Sequence, residues 1–218
     1  MIINQISTKY PKLYHMADKR NWENIKKLGL LSTTALLDLF DYRGDKRIQI
    51  ESQLRTREFK IKHPEHGEVI IRDQDPMTDR PSQGISLNEC LEGVTPQEWF
   101  EFLNKQTFFW ADTKGLKFML GARLYRKKSH LVFTVNTEKL LRAYKNKVTL
   151  TSMNTGSLYG MKSRSISTFQ PLGNYPQMRW ITELAIEGGG PNILDYTITV
   201  EEQQIRAEEI EIIQKIWP

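Results

Sequence analysis

The chain has 218 residues, one cysteine and a formal net charge of +5, from 31 Lys and Arg against 26 Asp and Glu. That length suits one domain, 1–218, with a full hydrophobic core, and the lone Cys90 excludes an intramolecular disulfide and fits a reducing cytoplasm. No apolar run approaches the roughly 20 residues of a membrane span, and the N-terminus lacks the basic start and apolar stretch of a signal peptide, so a cytoplasmic, non-membrane protein is expected.

In chain order, Leu13 to Met16 reads as a short strand. Asn21 to Leu28 has helical spacing, with Trp22, Ile25 and Leu28 at i, i+3 and i+6, Asn21 as a candidate cap and Gly29 as the stop. Thr33 to Phe40 reads as a second helix capped by Thr-Thr, and Lys46 to Leu54 as a charged third. Phe59 to His63 and Glu68 to Arg72 flank the turn Pro64-Glu65-His66-Gly67, a hairpin signal. A polar loop over Asp73 to Gly84 precedes a short helix at Ser86 to Leu91. Thr95-Pro96-Gln97-Glu98 then starts a helix, with proline at its first position and Glu98 placed for a capping box.

Thr107 to Trp110 is an aromatic strand, Lys114 to Tyr125 a helix, Leu131 to Val135 an apolar strand, Thr137 to Tyr144 a helix and Val148 to Leu150 an extended segment. Ser152 to Gln177 lacks periodicity and reads as a long loop, a length that in a compact domain points to function or disorder. Strands are expected at Trp180 to Ile186 and Asp195 to Val200, a flexible turn at Gly188-Gly189-Gly190, and an alternating run from Ala207 to Trp217. The fold class is α+β, helices early and strands concentrated late.

Two polar residues stand out inside apolar strands. Glu183 sits in Arg179-Trp180-Ile181-Thr182-Glu183-Leu184-Ala185-Ile186, where a buried carboxylate must be paired or do chemistry. His15 ends the strand Leu13-Tyr14-His15. Bases gather at Arg43 to Arg57, Arg123 to Lys128 and Lys162 with Arg164, while acids concentrate from Glu201 to Glu211; this polarity fits either a phosphate groove or ordinary solvated faces. Cys90 reads as buried filler, His63 and His66 share a turn without a cysteine partner, and no metal site is expected.

Leu13-Tyr14-His15 with Asn21-Trp22, Ile25 and Gly29-Leu30, then Thr107-Phe108-Phe109-Trp110-Ala111-Asp112 before a helix, then Thr182-Glu183-Leu184-Ala185-Ile186, resemble the DarT-type NAD-dependent ADP-ribosyltransferases in order and spacing from about Leu13 to Tyr196. A bacterial family of uncharacterised proteins shares the Leu13-Tyr14-His15, Arg72-Asp73-Gln74 with Pro76-Met77, Phe108-Phe109-Trp110 and Asn154-x-Gly156-Ser157 motifs. The resemblance implies a single ADP-ribosyltransferase-like domain with a split central sheet flanked by helices. It implies transfer of ADP-ribose from NAD onto a base of single-stranded RNA or DNA, and a toxin held in check by an antitoxin protein.

It further implies that Glu183 is the catalytic carboxylate and that His15, Asn21 and one of Phe109 or Trp110 hold NAD. An arginine is also expected, Arg72 at the diphosphate or the acceptor, with Arg164 in the long loop as the competing substrate-binding position. The segment Ala111 to Gly115 departs from the family's Asn-Pro-Arg-Ser-Pro-Met-Leu pattern, in the region between cofactor and target. Transfer to a protein side chain, or an inactive binding module of the same fold, are the alternative readings.

Overall fold

The computed structural model describes residues 2–176 and 179–218. The chain opens with α1 (Ile2–Lys9), a helix the sequence reading does not anticipate, whose Ile2, Ile3 and Ile6 pack on the core. Strand β1 (Lys12–Ala17) follows, then α2 (Trp22–Leu28), the two-residue β2 (Leu30–Leu31), α3 (Thr33–Leu39) and α4 (Gly44–Glu51). Ser32 rather than Thr-Thr caps α3, its hydroxyl accepting from the Ala35 N–H at 3.2 Å. The charged third helix is shorter than expected and ends at Glu51.

The hairpin of β3 (Phe59–His63) and β4 (Gly67–Ile71) stands where the turn signal puts it, and buries Ile61, Val69 and Ile71 against α3 and α4. After it come α5 (Leu87–Cys90) and α6 (Pro96–Asn104), the latter with the full Thr95–Glu98 capping box. The order continues with β5 (Gln106–Trp110), α7 (Thr113–Leu120), β6 (His130–Asn136), α8 (Thr137–Tyr144), β7 (Val148–Thr151), β8 (Gln170–Pro171), β9 (Glu183–Glu187), β10 (Gly189–Gly190), β11 (Thr197–Arg206) and β12 (Glu209–Trp217).

Helix α7 stops at Leu120, and turns fill the rest of the stretch to Tyr125. The expected strand over Trp180 to Ile186 begins only at Glu183, and Asp195 lies in a 3-10 turn before β11. The long loop holds two 3-10 turns and β8; its last expected residue, Gln177, lies outside the described residues. The three glycines are a packed element, not a loose turn. Gly189 and Gly190 pair with Leu31 and Leu30, and a Cβ on Gly189 would stand 2.2 Å from the Leu30 carbonyl oxygen.

One antiparallel sheet in the order β12-β11-β6-β1-β5-β9-β7-β8 organises the domain. Strand β6 is buried on both faces: Leu131, Phe133 and Val135 enter the main core under α1 and α8, and Val132 packs with Met16, Trp110 and α7 on the other face. Each such buried side chain contributes about 1.5–3 kcal/mol, which makes this strand the anchor of the fold. Six register pairs join β1 to β6, and five join β5 to β9. Between β1 and β5 there is one, Tyr14↔Trp110. The sheet is therefore barely stitched at its middle. The architecture is α+β in one domain, and no helix among the described residues is long and apolar enough to cross a membrane.

Candidate active-site cleft

The parting of β1 from β5 opens a cleft of about 730 Å³, within the range of small-molecule sites. His15, Asn21, Arg72, Trp110 and Glu183 all line it. Alternation along the strands sets His15 with Leu13 and Ala17 on the main-core face, and Glu183 with Ala185 on the opposite face. They reach one cavity because the cleft passes through the gap.

His15 bridges that gap. Its Nδ1 lies 2.7 Å from the Phe108 carbonyl oxygen, and since a carbonyl only accepts, Nδ1 carries the proton and Nε2 presents a lone pair. Burial lowers the His15 pKa to about 4, and the nearby Arg72 charge acts in the same direction against the Phe108 bond. The imidazole is therefore neutral at pH 7. Its Nε2 has no hydrogen-bond partner among the described residues, so it is an acceptor suited to a hydroxyl.

Glu183, the first residue of β9, is 4% exposed. Its Oε2 accepts from the Thr155 N–H at 3.0 Å and the Thr155 hydroxyl at 2.8 Å. Among the described residues nothing donates to Oε1, the oxygen left for a ligand. Burial raises the pKa to about 7 despite the Thr155 bonds and the Arg164 charge, so the carboxyl is poised between its two forms near neutrality.

Arg72 leaves β4 and lies across the cleft wall. Its Nη1 donates to the Met16 carbonyl at 3.0 Å and its guanidinium lies 4.4 Å from the Tyr125 ring centroid. Its Nη2 is buried without a partner. Trp110 lies against Gly115 of α7, where a Cβ would stand 2.4 Å from Trp110 Cδ1. The indole Nε1 is likewise buried and unpartnered. Two buried donors of cleft residues are thus left without a partner among the described residues, each costing about 1–3 kcal/mol while unsatisfied.

Three sequence assignments change. Phe109 is fully buried between His15 and the main core, and it is Phe108, one residue earlier and on the other face, that lines the cleft. Asn21 stands at the N-cap of α2 but its side chain makes no cap bond: Nδ2 donates to the Ile70 carbonyl and Oδ1 accepts from the Ile70 N–H, both at 2.8 Å. It fastens the β3–β4 hairpin to β1's end of the sheet. Arg164 is 2% exposed and lies behind the Asn154–Ser157 loop, donating to the carbonyls of Thr155 at 3.1 Å and Ser157 at 2.8 Å. It spans the loop that holds Glu183 and is not among the residues lining the cleft.

Other residues of the site escape the sequence reading. Thr155 is one, although the Asn154-x-Gly156-Ser157 motif marks its loop. Arg55 is another, 5% exposed, bonded to the Arg72 carbonyl at 2.9 Å, to Asn104 Oδ1 at 3.0 Å and to the Ile50 carbonyl. Burial lowers its pKa to about 10, and no carboxylate lies within ion-pair distance of it among the described residues. No group of three or more His, Cys, Asp or Glu among the described residues is arranged to hold a metal ion.

No curated protein and no solved structure matches the chain. A family model matches residues 11–201, spanning every residue of the cleft named above, and the chain belongs to that family, described as a family of unknown function (DUF7002).

Proposed function

We propose that the chain is an NAD-dependent ADP-ribosyltransferase that modifies a base of single-stranded RNA or DNA. The observation that carries the reading is the meeting of a neutral His15 with a free Nε2 and a poised Glu183 with a free Oε1 in one cleft at the parted middle of the sheet. A split central sheet is what the resemblance to ADP-ribosyltransferases implies. The cavity is large enough for a dinucleotide-sized ligand.

Bound NAD would supply the ribosyl group, with positive charge growing at the anomeric carbon as the nicotinamide bond breaks. Glu183, ionised, stabilises that charge and takes the proton of the incoming nucleophile. Thr155 holds the carboxylate by one oxygen and leaves the other to act. His15 Nε2 accepts from a ribose hydroxyl and fixes the sugar's orientation. Phe108 and Trp110 give flat walls for a flat ring, and the Arg72 guanidinium offsets phosphate charge. A toxin's role, with an antitoxin partner, rests on the resemblance to DarT-type enzymes.

The test uses NAD radiolabelled in its adenylate phosphate, offered with single-stranded RNA, single-stranded DNA or cell protein in separate reactions. Label is expected on one nucleic acid, and Glu183→Gln is expected to reduce transfer by about 10²–10⁴-fold. Label on protein alone would overturn the acceptor and keep the NAD chemistry. Neither label nor nicotinamide release would sink the enzyme reading.

A further inference from the structure

Two large aromatic side chains stand exposed at the mouth of the cleft. Phe118 on α7 is 54% exposed and Tyr159, in the loop after Thr155, is 79% exposed. Both line the cleft, and their rings approach to 6.3 Å between centroids at an interplanar angle of 52°. One comes from α7 and the other from the loop after β7, and both side chains are largely open to solvent.

The cleft also carries cations. Arg80 and Arg123 line the same cleft, and Arg126, Lys127 and Lys128 follow in the exposed turns after α7. Arg123 lies 3.9 Å from Asp75, and the other four have no ion pair among the described residues. Cations and bare aromatic rings on one cleft are the pairing that single-stranded nucleic acid requires, phosphates on the charges and bases on the rings. A base inside a duplex cannot offer its face to a ring, so the arrangement selects unpaired bases.

We infer that Phe118 and Tyr159 form a base-stacking platform that receives one unpaired nucleobase of a single strand at the cleft mouth. This rests on the nucleic-acid acceptor proposed above and names the device that would select it. Tyr159 lies four residues after Thr155, which grips Glu183, so a base stacked there waits at the entrance to the carboxylate's cavity. Gly160, at φ +79°, follows directly and gives the chain its turn behind the ring.

The test is fluorescence anisotropy with labelled 12-residue single strands of RNA and DNA, the same strands carrying abasic sites throughout, and a duplex, all without NAD. The wild type is expected to bind an intact single strand more tightly than the abasic strand or the duplex. Phe118→Ala and Tyr159→Ala are each expected to weaken intact-strand binding by roughly 5-fold to 100-fold with an unchanged salt slope, and Tyr159→Phe to retain it. Binding of the abasic strand should not change in any variant. Equal binding of intact and abasic strands, equal affinity of the alanine variants, or no binding of either strand would overturn the platform. Because NAD is absent, those outcomes leave nicotinamide release, the measure of the transferase reading, to be scored separately. Both side chains are exposed, and matched thermal melting of the variants confirms that folding is not what changed.

Discussion

Glu183 shows how much a single position can hold. Its carboxyl titrates near pH 7 because burial disfavours the charge more than Thr155 and Arg164 favour it. The folded chain keeps a proton that the unfolded chain sheds near the usual value of 4.5, so folding is opposed increasingly as pH climbs from about 4.5 to about 7. Glu183→Gln, whose amide oxygen can still accept both Thr155 bonds, is therefore expected to be more stable than wild type by on the order of 2 kcal/mol at about pH 8 and no more stable at about pH 4. Urea unfolding at the two pH values checks it, and a gain independent of pH would refute the shifted titration. His15 has the opposite sign: its pKa falls to about 4, so its contribution grows as pH rises toward its usual value of 6.5. Over that shared window the two partly cancel in the wild type. Both residues were legible in the sequence because a polar group in an apolar strand has few reasons to be there. Arg55 was not, since nothing in Leu54-Arg55-Thr56-Arg57 distinguishes the guanidinium that turns inward from its exposed neighbour Arg57.

At the scale of elements, the loop after β7 decides whether Glu183 is held. Arg164 spans it from behind, with further support from its Nε bond to the Lys162 carbonyl at 3.0 Å. Arg164→Met is expected to cost about 3 kcal/mol by stranding buried carbonyls. It also removes a charge that lowers the Glu183 pKa, so the midpoint of the pH–rate profile of the proposed transfer is expected to move upward. A profile unchanged in midpoint, with ordinary transfer, would show that Arg164 does not act on the site. The hairpin of β3 and β4 and the capped α6 were legible because short-range chemistry specifies them. The start of β9 was not: Trp180 to Thr182 alternate like a strand, yet Trp180 is 52% exposed and the Ile181 N–H turns to the Tyr10 hydroxyl at 3.2 Å. The packing of the glycine run is hidden in the sequence for a related reason, because the need for Gly189 comes from Leu30, far away in the chain.

For the whole molecule, motif order conveyed the α+β class and the union of His15 with Glu183, while the division of labour between Phe108 and Phe109 awaited the strand faces. The two halves of the sheet meet at one register pair, Tyr14↔Trp110, reinforced by the side chain of His15. Such a seam has mechanical consequences. Each half keeps its own ladder of hydrogen bonds, so little backbone bonding obliges β6 and β9 to open together. Whatever fills the cleft must touch both margins and so becomes a rivet across the seam. A ligand at about 100 times its Kd adds roughly 2.7 kcal/mol to the folded state, distributed over both leaves rather than one. Hydrogen exchange should register this as slowing of β6 and β9 amides by a common factor when the cleft is occupied. Slowing confined to one leaf would mean that its occupant leans on a single margin and leaves the seam unfastened.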